Sequence, residues 1–503
     1  MKKTLRSILL ALMIMVLLVP TCLADDVPYT TYNYDYWENI VYTPAAYIPD
    51  GKLDGATIYD ENGESIGSFN TPNDIYLGSD DRLYIVDSGN NRIVVLSAED
   101  YSYVTVIDSF DNNGTEDTLK NPMGVCHSED PDGYLYIADS DNYRVVILNS
   151  DYTLYKILEN PQDGDNVLEE TFIFSPQKVA VDYAERLYVI AKNTEEGIMV
   201  FDENLEFQNY FGTITVNVST WERVWRKLST KEQRSKQSLN ISTEYNGLDV
   251  DSEGFIYASY LDSNGTQGVM RLNPKGDDVV KQGYNQHTGG DIGMTNSNGS
   301  YDGLTKAIDV CYRDDGIYSF LDSRRGRIFT YDHEGNLLYI FGGFSDNGAQ
   351  EGCFKSPKAL EENTNGQIMV CDSTLNIVLL FKATEYGSLI NEAVALRYDG
   401  DEATAVPVWE KVLKYDANFE LAYVGLGKAY LSAGDNKKAM EYLKLGMSKQ
   451  YYSIAYRRYR NAFLVDNLGW MLSAVVVLVI AVWLIKKWRN RKKFVDDSAD
   501  TLE

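Results

Sequence analysis

Histidine is nearly missing from this chain. There are three in 503 residues, His127, His287 and His333. A zinc site needs three convergent nitrogen or sulfur ligands, and imidazole acid–base chemistry needs a ring held against the substrate. Here one histidine ends an apolar segment, one lies in a Gly-rich loop and one sits in a hairpin turn, so convergence is not expected. Cysteine is scarce as well, with five in all. Cys22 falls in an apolar leader. Cys126, Cys311, Cys353 and Cys371 are no disulfide framework for so long a chain. Cys126, Cys311 and Cys371 lie in apolar strand text, as small buried hydrophobes do. Cys353 and Cys371 are the one pair close enough in sequence for a bridge. Positive charge is the third deficit. Forty-six basic residues face 74 acidic ones, a net charge of −28. That excludes nucleic acid as a partner, which requires a basic surface, and it favours solubility.

What the chain does have is repeated strand text. Leu83-Tyr84-Ile85-Val86-Asp87-Ser88-Gly89-Asn90-Asn91-Arg92-Ile93-Val94-Val95-Leu96 reads as two short strands around a polar turn. Residues 135–148 repeat it, with Asp139, Ser140, Asn142 and Arg144 in place. Weaker copies occupy 186–190, 255–258, 316–323 and 368–373. A repeat of this length built of strands alone predicts an array of small sheets. Pro72, Pro122, Pro176 and Pro357 each precede an inner strand; Tyr245 and the region of Lys306 take that place in the fourth and fifth units. Residues 57–69 form a hairpin pattern with an Asn62-Gly63 turn and look like 329–342 at the end of a later unit. The chain is therefore expected to begin with the outer part of one unit and complete that unit at its far end. A ring closed this way leaves no bare sheet edge.

These residues resemble the NHL-repeat family of six-bladed β-propellers. Its pattern is a proline, an apolar inner strand, a Gly turn, an Ile-Tyr-Val-Ala-Asp strand, a Ser-x-Asn-x-Arg turn and an Ile-x-Val-Phe strand. Residues 83–96 and 135–148 match closely. The third and fourth units lack the Asp-Ser-x-Asn-x-Arg turn, and the sixth has Leu375 and Ile377 where Asn and Arg would sit. The resemblance covers 57–381. It implies a mainly β, six-bladed propeller and says little of activity, because one fold hosts many.

Propellers of this kind include calcium-dependent lactonases and zinc-dependent amidating lyases. The histidines do not supply zinc. Calcium stays open, because Asp87, Asp139, Asp322 and Asp372 recur at the turn after the second strand and hard cations take such oxygens. Each has a local explanation too. Asp87 with Arg92, Asp139 with Arg144 and Asp322 with Arg327 can close their own hairpins, and that structural role is the one adopted, with Asp372 as its counterpart in the sixth unit. No matched carboxylate set for a lactonase-type channel is legible. The expectation is no catalytic residue, no bound metal and no cofactor other than possible calcium.

An insertion at 213–244 separates the third and fourth units. Ser219 and Glu222 have capping-box spacing. Trp221, Val224, Trp225 and Leu228 then follow on one helical face. Arg223, Arg226, Lys227, Lys231, Arg234 and Lys236 outnumber Glu222 and Glu232. Such a helix either packs its tryptophans on the disc or serves as a lid or docking surface. Trp221, Arg223, Trp225, Arg226 and Lys227 are the candidate partner-binding residues, toward protein, carbohydrate or an acidic surface polymer.

From Leu389 the period changes to that of helices. Tyr423, Leu426, Gly427, Tyr430, Gly434, Ala439, Leu443 and Gly446 have the spacing of a tetratricopeptide (TPR) repeat. An earlier copy pairs Gly400 with Gly434 and Ala405 with Ala439, small residues read as close helix contacts. Residues 468–485 are an unbroken apolar run, long enough to span a bilayer, with Trp470 and Trp483 as interfacial anchors. Lys486, Lys487, Arg489, Arg491, Lys492 and Lys493 follow and predict a cytoplasmic tail, against Arg457, Arg458 and Arg460 on the other side. Lys2, Lys3 and Arg6, the apolar stretch 8–19 and Cys22-Leu23-Ala24 read as a cleaved signal peptide, with a lipid anchor on Cys22 as the alternative.

The organisation predicted is a signal peptide at 1–24, an extended arm at 25–52 and a six-bladed propeller at 53–387. TPR-like helices at 388–464, a transmembrane helix at 465–485 and a basic tail at 486–503 complete it. The implied protein is a single-pass type I cell-membrane protein with propeller and TPR helices extracytoplasmic. It would bind a ligand or protein partner, beside a membrane transport complex; a calcium-dependent lactonase-like hydrolase is the alternative.

Overall fold

Apolar strands that alternate with Gly and Asp turns cannot bury both faces singly, so they stack as small antiparallel sheets around an axis. The computed structural model describes residues 27–159, 161, 172–192, 194, 197–212, 245–261, 267–283, 290–291, 304–313, 315–345 and 350–499. The signal peptide and the 213–244 insertion, with Trp221, Arg223, Trp225, Arg226 and Lys227, lie outside the described residues, as do Cys22 and His287.

Six sheets form the propeller. Blade 1 runs inner to outer as Pro72–Leu77, Arg82–Asp87, Arg92–Ser97 and Tyr103–Ile107. Blade 2 is Pro122–His127, Leu135–Asp139, Arg144–Leu148 and Leu154–Glu159; blade 3 is Pro176–Val181, Leu187–Ala191, Ile198–Phe201 and Phe207–Phe211. Blade 4 has Tyr245–Val250, Ile256–Tyr260 and Val269–Leu272; blade 5 has Ala307–Arg313, Ile317–Asp322, Arg327–Asp332 and Leu337–Phe341. Blade 6 contributes Pro357–Glu362, Ile368–Asp372 and Ile377–Ala383 in the chain's later part.

The ring closes differently from the sequence reading. The fourth strand of blade 6 is Tyr47–Leu53, antiparallel to Ile377–Ala383. The 57–69 hairpin is instead a short ladder outside the sheet, bridged at Tyr59 and Ser65. Pro49-Asp50-Gly51 disguises the closing strand as a turn. It is tolerated because this strand is the outer edge, where a proline forfeits no ladder bond. The register slips between Leu379 and Phe381, and Gly51 beside the slip takes φ +99°, the backbone of a bulge.

Apolar side chains fill the space between neighbouring blades. Ile93, Val95, Ile137 and Val146 pack between blades 1 and 2. Val189, Phe201, Ala138 and Val145 do so between blades 2 and 3. Between blades 5 and 6, Tyr47 stacks on Phe341 at 4.8 Å, and Phe341 meets Phe381 edge-on at 5.5 Å. Cys126, Cys311, Cys353 and Cys371 are buried free thiols, so the Cys353–Cys371 bridge does not form. Burial pushes the thiols of Cys126, Cys311 and Cys371 up, which makes them inert packing residues.

Two compact units divide the chain, 1–419 and 420–503. The first includes helices α1 (Glu385–Tyr398) and α2 (Glu402–Tyr415). Thr384 caps α1 and also donates to Ala45 O at 2.7 Å, while Asn391 reaches the Tyr47 hydroxyl at 3.1 Å. The second unit holds α3 (Glu420–Ser432), α4 (Asn436–Leu445) and the 51-residue α5 (Lys449–Ala499). Asp401 and Asp435 cap α2 and α4. Gly400 and Gly434 are not sites of close helix approach. They take φ +81° and +82° with nothing near a would-be Cβ, the left-handed turn that ends a helix. Close approach falls to Gly427, against Leu443, and to the fully buried Ala405 and Ala439.

Candidate functional site

Inner strands of a propeller are edges, and their outward N–H groups need partners near the axis. Each inner strand here carries a register shift between its first and third residues: Pro72/Asp74, Pro122/Gly124, Pro176/Lys178, Tyr245/Gly247, Ala307/Asp309 and Pro357/Ala359. A bulge re-aims the side chain that follows it. The six third residues form a ring of Asp74, Gly124, Lys178, Gly247, Asp309 and Ala359. Long side chains alternate with small ones. Lys178 Nζ lies 2.5 Å from Asp74 Oδ1 and 3.1 Å from Asp309 Oδ1. The glycines leave the room: a Cβ on Gly124 would meet Gln177 O at 2.7 Å, and one on Gly247 would meet Asp309 Cα at 2.6 Å. One ammonium between two carboxylates, from blades 1, 3 and 5, closes the channel.

The carboxylates also follow a rule along the ring. Asp74 accepts from Val125 N at 3.1 Å and Asp309 from Leu360 N at 3.0 Å, each on the next blade. Two residues further along the strand, Asp249 accepts from Tyr312 N at 2.5 Å and Glu361 from Leu77 N at 3.4 Å, again on the next blade. The Cys311 thiol donates to Glu361 at 3.4 Å. These acids stitch adjacent inner strands where no sheet ladder does. The sequence reading identified no carboxylates at the channel; Asp74, Asp249, Asp309 and Glu361 lie there, bonded to backbone N–H groups of the next blade and not arranged to hold a metal. The available signal was their offset from the strand start. Blades 4 and 5 obscured it by opening on Tyr245 and Ala307 instead of proline.

Burial raises every one of these acids. Asp249 is pushed up from 3.8 to about 7 and Asp309 to about 6, despite the N–H donors and Lys178 that oppose it. Asp74 and Glu361 rise for the same reason. Lys178 is held above its ordinary value: burial alone would lower it, but Asp309 and Asp74 outweigh that. A carboxyl with a folded pKa above its unfolded one stabilises the fold most at low pH, and the contribution disappears as pH rises through the folded value. The melting temperature of the purified protein should therefore fall from pH 5 to pH 8, with Asp249→Asn flattening the upper part of the curve. At about 1.4 kcal/mol per unit, Asp249 alone supplies a few kcal/mol. A melting temperature that climbs over this interval would contradict the assignment.

Above the Lys178 plug the channel widens to a cavity of about 510 Å³. The second residue of every inner strand lines it: Asn73, Met123, Gln177, Asn246, Ile308 and Lys358. Lys192, Lys306 and Lys355 join Lys178 and Lys358 in the wall, and among the described residues no Asp or Glu does.

The recurrent turn aspartates lie in separate blades and do not converge. Asp87, Asp139, Asp322 and Asp372 are all fully buried. Arg92 Nε and Arg144 Nε each reach their aspartate at 2.7 Å. Asp117 also holds Arg144, which keeps the Asp117 carboxyl down at about 2. The third pair is exchanged. Asp322 takes Arg325 at 3.1 Å, while Arg327 turns to Asp291 at 2.7 Å and to the Tyr32 ring of the N-terminal arm. The Asp322–Arg327 pairing is thus corrected: the backbones are in register, but the arm brings Arg327 a second carboxylate. The aspartates also accept backbone N–H groups that lead into inner strands: Asn70 N on Asp87, Lys120 N on Asp139, Lys306 N on Asp322 and Lys355 N on Asp372. They fix the rim of the cavity. Among the described residues no group of three or more His, Cys, Asp or Glu is arranged to hold a metal. His127 is buried beside Ser79 and Ser128, and His333 packs on Tyr398.

Residues 69–96, the core of blade 1, match the NHL repeat model. A human protein, NHL repeat-containing protein 2, is 26% identical over 102 residues, 19% of this chain and 14% of its own length. The chain thus spans about one seventh of that curated relative. Among solved structures, a streptogramin B lyase is 10% identical, with a TM-score of 0.40 over 67% of this chain and 98% of its own. Virginiamycin B lyase from Staphylococcus aureus is 10% identical (TM-score 0.38, 66% and 99% covered). Hydrazine synthase of Kuenenia stuttgartiensis is 11% identical (0.39, 66% and 99%).

Proposed function

We propose that this protein is a membrane-anchored extracytoplasmic binding and scaffold protein. The propeller presents a ligand- or partner-binding face, and TPR-like hairpins add a second interaction surface beside a membrane transport complex. One observation carries the reading. Helix α5 contains a stretch long and apolar enough to cross a membrane, with none of it buried in the protein. Val465, Val477 and Leu478 are 77%, 65% and 65% exposed, a cost that water would not tolerate and lipid removes. The basic residues after Ile485 suit the cytoplasmic side. A signal peptide at 1–24 would put the propeller on the other side.

No resident cofactor is needed. The hydrolase alternative finds less support, because each channel carboxylate already accepts a neighbouring backbone N–H, and two also hold Lys178. The test is alkaline extraction of membranes with protease protection. The full chain should stay in the membrane pellet, a chain ended at residue 464 should be released, and external protease should digest the propeller of the full chain while sparing its tail. Release of the full chain by alkali, or a propeller protected together with the tail, would overturn the assignment. A pull-down of the detergent-solubilised protein then identifies the partner.

A further inference from the structure

We propose that the cavity above the Lys178 plug binds a small ligand carrying two or more oxyanion groups, phosphate or carboxylate. This goes beyond the scaffold reading and does not depend on how the chain meets a membrane. The cavity, at about 510 Å³, is within the range that encloses a small molecule. Among the described residues five lysines line it and no acid does, in a chain whose acidic residues outnumber its basic ones 74 to 46. So local a reversal of sign focuses a positive field in a concave wall.

The lysines divide by role. Lys178 is committed to Asp74 and Asp309 at the floor. Lys192, Lys306, Lys355 and Lys358 are exposed, and no carboxylate among the described residues pairs with their ammonium groups. Their backbones are fixed: Lys192 N on Ser175 O at 2.8 Å, Lys306 N on Asp322 at 3.0 Å and Lys355 N on Asp372 at 2.6 Å. The cations therefore stand on a rigid rim.

The neutral donors argue against an uncharged sugar. Asn73 Nδ2 donates to Thr71 O, Gln177 Nε2 to Ser140 Oγ and Asn246 Nδ2 to Ala307 O. Ser323 Oγ donates to Lys306 O. Each of these groups already spends a donor on the protein, while four exposed ammonium groups spend none on a carboxylate among the described residues, so charge is the larger part of what the wall offers a ligand. Lysines act as point charges with several donors each, which suits several oxygens spread over a small molecule. No bond is made or broken in this proposal.

Isothermal titration of the detergent-solubilised full-length protein tests it, with tripolyphosphate and citrate as probes and glucose as the neutral control. One of the two anions should bind at low salt, glucose should not, and affinity should drop severalfold between 50 and 300 mM salt, the ionic strengths at which screening takes hold. The combined variant K192Q/K306Q/K355Q/K358Q should weaken binding about 30- to 100-fold, summing four exposed charge contacts. Its melting temperature should stay within a degree or two, because these side chains are exposed. No heat with either anion, unchanged affinity in the variant, or equal binding of glucose would overturn the proposal. So would a response to long-chain polyphosphate with none to the two small probes, which would assign the lysines to a polymer.

Discussion

Replacing Lys178 with methionine should lower the stability of the propeller at pH 8 by about 3–5 kcal/mol. The side chain is nearly buried, with 11% exposure, and both its carboxylate partners are 4% exposed. Methionine fills similar volume, so packing is nearly conserved and the loss is electrostatic. Two buried acids would then face each other with no cation between them. At roughly 2 °C per kcal/mol for a large domain, the melting temperature should drop by about 6–10 °C. The deficit has a pH signature. Without the ammonium the acids protonate more readily, so the difference from the parent should shrink as pH falls from 8 to 5. Adding Asp74→Asn and Asp309→Asn to the variant should recover much of the loss, since no unpaired charge remains. A loss below about 1 kcal/mol at pH 8, or one that does not vary with pH, would mean that water reaches the triad and that the channel is not closed there.

Tyr47→Ala should cost about as much, in the range of 3–5 kcal/mol for a buried aromatic. Tyr47 is fully buried in the strand that completes blade 6. Its ring stacks on Phe341, its hydroxyl accepts from Asn391 of α1, and Arg313 lies over its ring at 5.7 Å. One side chain thus joins the ring-closing strand to blades 5 and 6 and to α1. Thermal or denaturant unfolding measures the effect. Tyr42→Ala, at a residue 75% exposed in the same arm, is the control and should fall within about 0.5 kcal/mol of the parent. Equal effects at the two positions would show that the arm is dispensable to the ring.

The repeat itself was legible because blades 1 and 2 carry Asp-Ser-x-Asn-x-Arg intact. The shared spacing of Pro72, Pro176 and Pro357 to the end of the second strand then indexed the weaker units. Ring closure was legible in kind but assigned to the wrong segment, since an Asn-Gly hairpin is a louder local signal than an edge strand that contains Pro-Asp-Gly. Asp87 and Asp139 hold the arginine five residues on, which is in register on the neighbouring strand; Asp117 shares Arg144 without displacing Asp139. At Asp322 a distant carboxylate, Asp291, wins Arg327, and sequence spacing cannot see that. The channel set escaped for a related reason. Asp74, Lys178 and Asp309 come from three different blades, and nothing local ties them together. Only counting from the strand start shows that all three occupy the same place.

The strand that finishes the ring is among the first to be synthesised and the last to find its partner. Thr384 and Ala45, bonded where the closing strand begins, stand 339 residues apart in the chain. Until the ribosome has passed that point, Ile377–Ala383 does not exist and Tyr47–Leu53 has nothing to pair with. Blades 1 to 5 can collapse in order as they emerge, each on its predecessor, but the disc stays open like a split washer. Closing a loop of that size carries an entropic cost that grows slowly with length, and the search is slow for so non-local a contact. Until that contact forms, the ring has bare sheet edges at its opening, and that interval is when a chaperone would have something to hold.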